Sequence, residues 1–132
     1  MMIQSQEQIL LVISDSQVTF LLERVLRSMG YAIKAVEDRA GALKAMDLLY
    51  PSLVVLGEKI GGSSGIELAA EMIRRSPSTP IILFITQDTP DMLRSAMRLG
   101  ITEYLTLPLG ANDVRRAVEN SLDLARLRRD AV

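Results

Sequence analysis

Three short runs in this chain are apolar at every position: ILLVI at 9–13, LVVL at 53–56 and IILFI at 81–85. A strand with one face in water alternates apolar and polar residues, so an unbroken run marks a strand covered on both faces. Between the runs the period changes. Val18, Leu21, Leu22, Val25, Leu26 and Met29 recur at helical spacing, and Gly30 ends the pattern as a C-terminal cap. Residues 31–36 read as a short strand, and 39–50 as a helix stopped by Pro51. Ile66, Leu68, Ala69, Met72 and Ile73 mark a third helix. Thr89-Pro90-Asp91 opens a fourth with a hydroxyl cap, proline at the first position and an acid in the first turn; it runs to Gly100. Residues 102–107 read as a fifth strand, and Asn112 is a candidate cap for the last helix.

Five βα units with buried strands predict an α/β fold: a doubly wound parallel sheet with helices on both faces. Right-handed crossovers leave few topologies, and the flavodoxin-like order 2-1-3-4-5 is expected. Functional groups then belong in the crevice at the carboxyl ends of the strands. The 132 residues fit one domain. Its expected limits are 9–125, after a tail at 1–8, with 126–132 as the end of helix five and the start of a linker.

Composition removes several chemistries. The chain has no cysteine and no histidine, which excludes disulfides, zinc sites built on those ligands and a histidine base. Net charge is -1, so nothing draws the chain as a whole to nucleic acid or anionic lipid. The opening MMIQSQEQ has neither a basic n-region nor an apolar h-region, so no signal peptide is expected. No apolar run is long enough to span a bilayer. The expectation is a cytoplasmic protein that contacts neither nucleic acid nor membrane.

ILLVISDSQVTFLLERVLRSMGY, PSLVVLGEKIGGSSGIEL, TPIILFIT and GITEYLTLP occur in this order. Together they resemble the receiver domain of two-component response regulators over about the whole chain. That resemblance implies a carboxylate ending strand three that takes a phosphoryl group, with Mg²⁺ mediating. It also implies two acids after strand one, a Ser or Thr ending strand four, and a Lys before a proline ending strand five. The residue types suit the chemistry: a carboxylate nucleophile, hard oxygens for Mg²⁺, and a cation facing the phosphoryl oxygens.

This chain departs at each position. The acid pair falls on Ile13 and Ser14, and the phosphoacceptor on Gly57, with Gly65 (the family's loop glycine) setting the register. The hydroxyl position falls on Ile85, and the lysine position on Leu107 before Pro108. The scaffold survives in the apolar strands, Gly65, Tyr104 and Pro108. The losses are mutually consistent, since keeping the lysine without the acids would leave an unpaired, partly buried cation costing about 3–5 kcal/mol. Ile13, Ile85 and Leu107 are expected to close into an apolar plug, with no metal and no cofactor.

Two acids lie one place off the family positions, Asp15 and Glu58. One reading is a displaced metal or phosphoryl site. The other is that Asp15 caps or solvates the loop before helix one and Glu58 points to solvent, because a one-residue shift along a strand reverses the side chain. Ser14 and Thr86 read as caps or turn residues without a general base beside them. The glycines of 61–65 fit neither a P-loop nor a dinucleotide fingerprint, and read as a flexible loop ending in a cap. The arginines of RLRRD suit a helix C-terminus, and Met29, Met46, Met72 and Met97 read as packing residues.

Three functions fit these features. The first is a phosphorylation-independent signalling module, not an enzyme, acting through protein contacts. The second is a receiver-like domain binding a small ligand in an altered pocket. The third, an enzyme of another flavodoxin-like class, has no reactive constellation to carry it. The first is preferred, as the N-terminal part of a larger regulator. The resemblance implies helix four, strand five and helix five as the face for dimers or output contacts. Helix five also carries two apolar stripes. Val114, Val118, Leu122 and Ala125 suit the sheet, whereas Leu124, Leu127 and Ala131 lie roughly 130° away and form a candidate interface with a second copy or a linked output domain.

Overall fold

The computed structural model describes residues 7–86 and 89–130, apart from the side chain of Arg129. The elements in order are β1 (Gln8–Val12), α1 (Ser16–Ser28), β2 (Ala32–Val36), α2 (Arg39–Leu49), β3 (Leu53–Gly57), β4 (Lys59–Ile60), β5 (Ser63–Ser64), α3 (Gly65–Arg75), β6 (Ile81–Phe84), α4 (Pro90–Arg98), β7 (Glu103–Leu105) and α5 (Ala111–Asp130). The main sheet is parallel, in the order β2-β1-β3-β6-β7. The expected 2-1-3-4-5 is this order, because β4 and β5 form a separate antiparallel pair between β3 and α3.

The apolar runs are buried for the reason read from the sequence. β1, β3 and β6 are flanked by strands on both edges, and their side chains alternate between two cores. Ile9, Leu11, Leu53, Val55, Ile82 and Phe84 face α1 and α5, meeting Leu22, Leu26, Val114 and Val118. Leu10, Val12, Val54, Leu56, Ile81 and Leu83 face α2, α3 and α4, meeting Met46, Leu68, Met72 and Ala96. Each fully buried Leu or Ile contributes about 1.5–3 kcal/mol.

Helix termini follow local chemistry. Asp38, Ser64 and Thr89 each cap a helix with a side-chain oxygen accepting from a backbone N–H three residues on. Gly30 follows α1 with φ +93, the left-handed value expected of its capping role. Tyr50 ends α2 at φ 47, left-handed although it carries a side chain, and the following Pro51 disfavours continued helix there.

Three local expectations need correction. Residues 61–65 end in a cap as expected, Ser64, but they are not without pairing. Lys59–Ile60 and Ser63–Ser64 pair across a turn in which Gly61 takes φ +60. Asn112 does not cap α5, which already begins at Ala111, with the N–H of Val114 donating to the Gly110 carbonyl at 3.1 Å. Met97 is exposed, whereas Met46 and Met72 are buried and Met29 packs against the core. On α4 the buried position is Ala96, and the next residue lies about 100° further round the helix.

Candidate functional site

The carboxyl ends of β1, β3 and β6 open on a crevice of about 150 Å³. Its lining is Ile13, Ser14 and Asp15 from beyond β1, Gly57 ending β3 with Glu58 and Lys59 after it, and Phe84 ending β6 with Thr86 after it. Sequence reasoning placed the site at the ends of strands one, three, four and five; the first three of these line the crevice, and the end of β7 does not. Register sets their levels: Val12 pairs with Leu56, and Gly57 with Phe84.

Gly57 leaves the middle of the crevice without a side chain. A Cβ built there would meet Ile60 Cδ1, the Lys59 carbonyl oxygen and the Val12 carbonyl oxygen, each at 3.6 Å, which is ordinary contact. Space therefore does not dictate glycine at this position. Gly65 is different. A Cβ there would lie 1.9 Å from the Gly57 carbonyl oxygen and 2.9 Å from its carbon. The Gly65 N–H also donates to the Glu58 carbonyl at 2.8 Å. The start of α3 thus lies directly on the backbone that ends β3, and only a residue without Cβ allows it.

The apolar plug does not form. Ile13 and Ile85 are both buried, but in different cores: Ile13 with Val18 and Leu105, Ile85 with Leu83 and Ala96. Strand parity separates them, since Ile13 continues the Ile9–Leu11 face and Ile85 the Ile81–Leu83 face. Leu107 is 53% exposed and joins neither core. It precedes Pro108 through a cis peptide bond, beyond the end of β7. The crevice between the strand ends is of mixed character, with Ile13 and Phe84 beside Ser14, Asp15, Glu58 and Thr86.

Asp15 is the N-cap of α1. Its Oδ1 accepts from the N–H of Gln17 at 2.8 Å and of Val18 at 3.2 Å. Capping, one of the two readings open from sequence, is thus its structural role. Ser14 Oγ donates to the Lys59 carbonyl at 3.4 Å. Tyr104 is part-buried; its hydroxyl donates to the Ile101 carbonyl at 2.8 Å, and burial pushes its phenol up from the ordinary value.

Glu58 departs from the expectation that it points to solvent. Its Oε1 accepts from the N–H of Thr86 at 2.8 Å and from the Thr86 hydroxyl. Strand parity fails here because β3 ends at Gly57 and the chain bends before β4, so residue 58 no longer obeys the alternation. The Glu58 N–H still donates to the Phe84 carbonyl at 3.0 Å, which seats the residue against the end of β6. No local sequence signal announces a bond between residues 28 apart. Among the described residues, no group of three or more Asp or Glu side chains is placed to hold a metal ion.

The second stripe of α5 is exposed as expected, with Leu124 at 40% and Leu127 at 65%, while Val114, Val118, Leu122 and Ala125 are buried. Ala131 lies outside the described residues. No helix of the described residues is long and apolar enough to cross a membrane.

Known proteins match this architecture. Sporulation initiation phosphotransferase F of Bacillus subtilis is 29% identical over 121 residues, covering 89% of this chain and 95% of that protein. Nitrogen assimilation regulatory protein NtrX of Azorhizobium caulinodans is 26% identical over 124 residues, covering 92% of this chain but 27% of NtrX. The DNA-binding transcriptional regulator NtrC of Escherichia coli is also 26% identical, over 108 residues. This chain spans about a quarter of the length of these two regulators. Among solved structures, a CheY-like receiver domain protein from Methanospirillum hungatei superposes with a TM-score of 0.88 at 18% identity, covering 94% of this chain and 99% of that one. At that identity the likeness shows the fold alone. The sequence profile of the family described as response regulator receiver domain matches residues 9–119, and the chain belongs to that family.

Proposed function

We propose that this receiver domain signals without an aspartyl phosphate, as a cytoplasmic protein-interaction module of a larger regulator. The observation that carries this reading is Gly57 at the end of β3, where the family's chemistry requires a carboxylate. Ile13, Ser14 and Leu107 support it, because the acid pair and the lysine that would hold Mg²⁺ and the phosphoryl oxygens are replaced together; Ile85 lies in the core, and the hydroxyl at this edge, that of Thr86, is held by Glu58. The nearby acids are engaged otherwise: Asp15 caps α1, and Glu58 accepts from Thr86. A crevice of about 150 Å³ is smaller than usual ligand sites of ~300–1,000 Å³, which weighs against the small-ligand reading.

Incubation with acetyl phosphate and millimolar Mg²⁺, followed by intact mass measurement, is expected to show no phosphoryl adduct. The melting temperature is expected not to rise with Mg²⁺, since a ligand that binds only the native state would raise it by mass action. An adduct mapped to Asp15 or Glu58 would establish the displaced-acid reading instead.

The partner is proposed to meet the α4–β7–α5 face, with Leu124 and Leu127 at its α5 edge, and to be a second copy or a linked output domain. Leu124→Glu with Leu127→Glu is expected to abolish self-association in light scattering while the chain stays folded by circular dichroism. A wild-type dimer that persists unchanged in the double variant would remove this stripe from the interface.

A further inference from the structure

We propose that the cavity at the amino-terminal end of the sheet binds a small organic cation, a primary amine on an apolar body, with Glu7 holding the ammonium and Tyr50 covering it from the rim. The site goes beyond the interaction-module reading and holds whether or not that reading does.

Glu7 precedes β1, Ser52 precedes β3 and Pro80 precedes β6, so the three gather at the end of the parallel sheet opposite the crevice. With Met46 of α2 and Leu122 of α5 they line a cavity of about 500 Å³. That is within the ~300–1,000 Å³ usual for small-molecule sites, which the strand-end crevice is not.

Charge selects the ligand. The lining carries two carboxylates, Glu7 and Asp47, and one cation, Arg75. Arg75 is already shared: Nη1 donates to Asp47 Oδ2 at 3.0 Å, and Nη2 lies 3.6 Å from Glu71 Oε1. An anion would therefore meet two carboxylates and no uncommitted cation in the lining. Glu7 is the group left unsatisfied. Its Oε1 accepts from Arg126 Nη2 at 2.9 Å, but Oε2 is shielded from water and has no hydrogen-bond partner. An unmet, shielded acceptor is costly, and a carboxylate holds a charged donor more strongly than a neutral one. The Glu7 side chain is 35% exposed and the terminal torsion of glutamate is soft, so a turn about it offers this oxygen to a donor in the cavity. A bare metal ion is a poorer match, because among the described residues no three acids converge.

The rest of the wall suits the ligand's apolar body. Met46 and Leu122 are buried side chains of this wall, and Tyr50 is 83% exposed. Tyr50 holds φ 47, a left-handed backbone that is costly for a residue with a side chain and is found most at ligand contacts and active sites. An aromatic face so placed attracts an organic cation.

The test is an amide NMR titration of the full chain with phenethylammonium chloride, with sodium 3-phenylpropionate and potassium chloride as controls. The amine is expected to move the amide signals of Ser52, Ser76 and Thr79 saturably, with a Kd of about a millimolar for so small a molecule. Neither control is expected to reproduce this. Glu7→Gln should weaken binding about tenfold or more, and Tyr50→Ala about threefold, each with wild-type signals for β3 and β6. No saturable change in the wild type would overturn the proposal. So would equal changes with phenylpropionate, changes confined to Gly57, Glu58 and Thr86, or wild-type affinity in Glu7→Gln.

Discussion

Gly65→Ala is expected to lower the unfolding free energy by about 3 kcal/mol, at the upper end of what overpacking usually costs. The added Cβ would sit 1.9 Å from the Gly57 carbonyl oxygen and 3.0 Å from the Glu58 carbonyl carbon. Both obstacles are backbone, so no rotamer change relieves them. To make room, α3 must lift from the end of β3, which stretches the 2.8 Å bond from the Gly65 N–H to the Glu58 carbonyl and pulls Leu68 and Met72 from the core. Gly57→Ala is the control. Its Cβ meets nothing closer than 3.6 Å, so its midpoint in urea should stay within about 0.5 kcal/mol of wild type. Equal midpoints for Gly65→Ala and wild type would show that the close approach is not needed.

Leu56→Ala is expected to cost about 2–5 kcal/mol, the range for emptying a buried leucine site. Leu56 is wholly buried in the central strand β3, paired with Val12 on one side and Leu83 on the other. Three strands and the helices above them cannot collapse onto the void without breaking the ladder, so most of the cavity should persist. At roughly 2–4 °C or more per kcal/mol for a domain of this size, calorimetry resolves the loss easily. Leu127→Ala, at a site 65% exposed, should shift the melting temperature little. Comparable losses at the two positions would contradict the assignment of β3 to the core.

On the phosphate-free reading proposed above, Gly57→Asp alone is expected not to make a working phosphoacceptor. Gly57 has room for a side chain, but an aspartate there would find neither the acid pair nor the lysine, because Ile13 is turned into the core, Ser14 bonds to the Lys59 carbonyl and Leu107 stands out in solvent.

The order of elements, the doubly wound sheet and the location of the crevice were all legible in the sequence. Unbroken apolar runs such as 53–56 admit only strands buried on both faces, and helical spacing such as that of Val114, Val118 and Leu122 admits only one inward stripe. These are local periodicities, and they depend on which residues are apolar rather than on what they touch.

What fills the crevice was decided by tertiary structure. Ile13 and Ile85 are apolar and close along neighbouring strand ends, yet parity sends them to opposite cores, and Leu107 lies past the end of β7, where no core remains to receive it. Glu58 reads as a solvent-facing residue while β3 is assumed to continue. The chain bends after Gly57, and the carboxylate then reaches Thr86, 28 residues away. Local periodicity determines which face a residue takes while an element lasts. Once the strand stops, direction is set by the bend and by the nearest donor in space, and both exist only when the sheet is assembled.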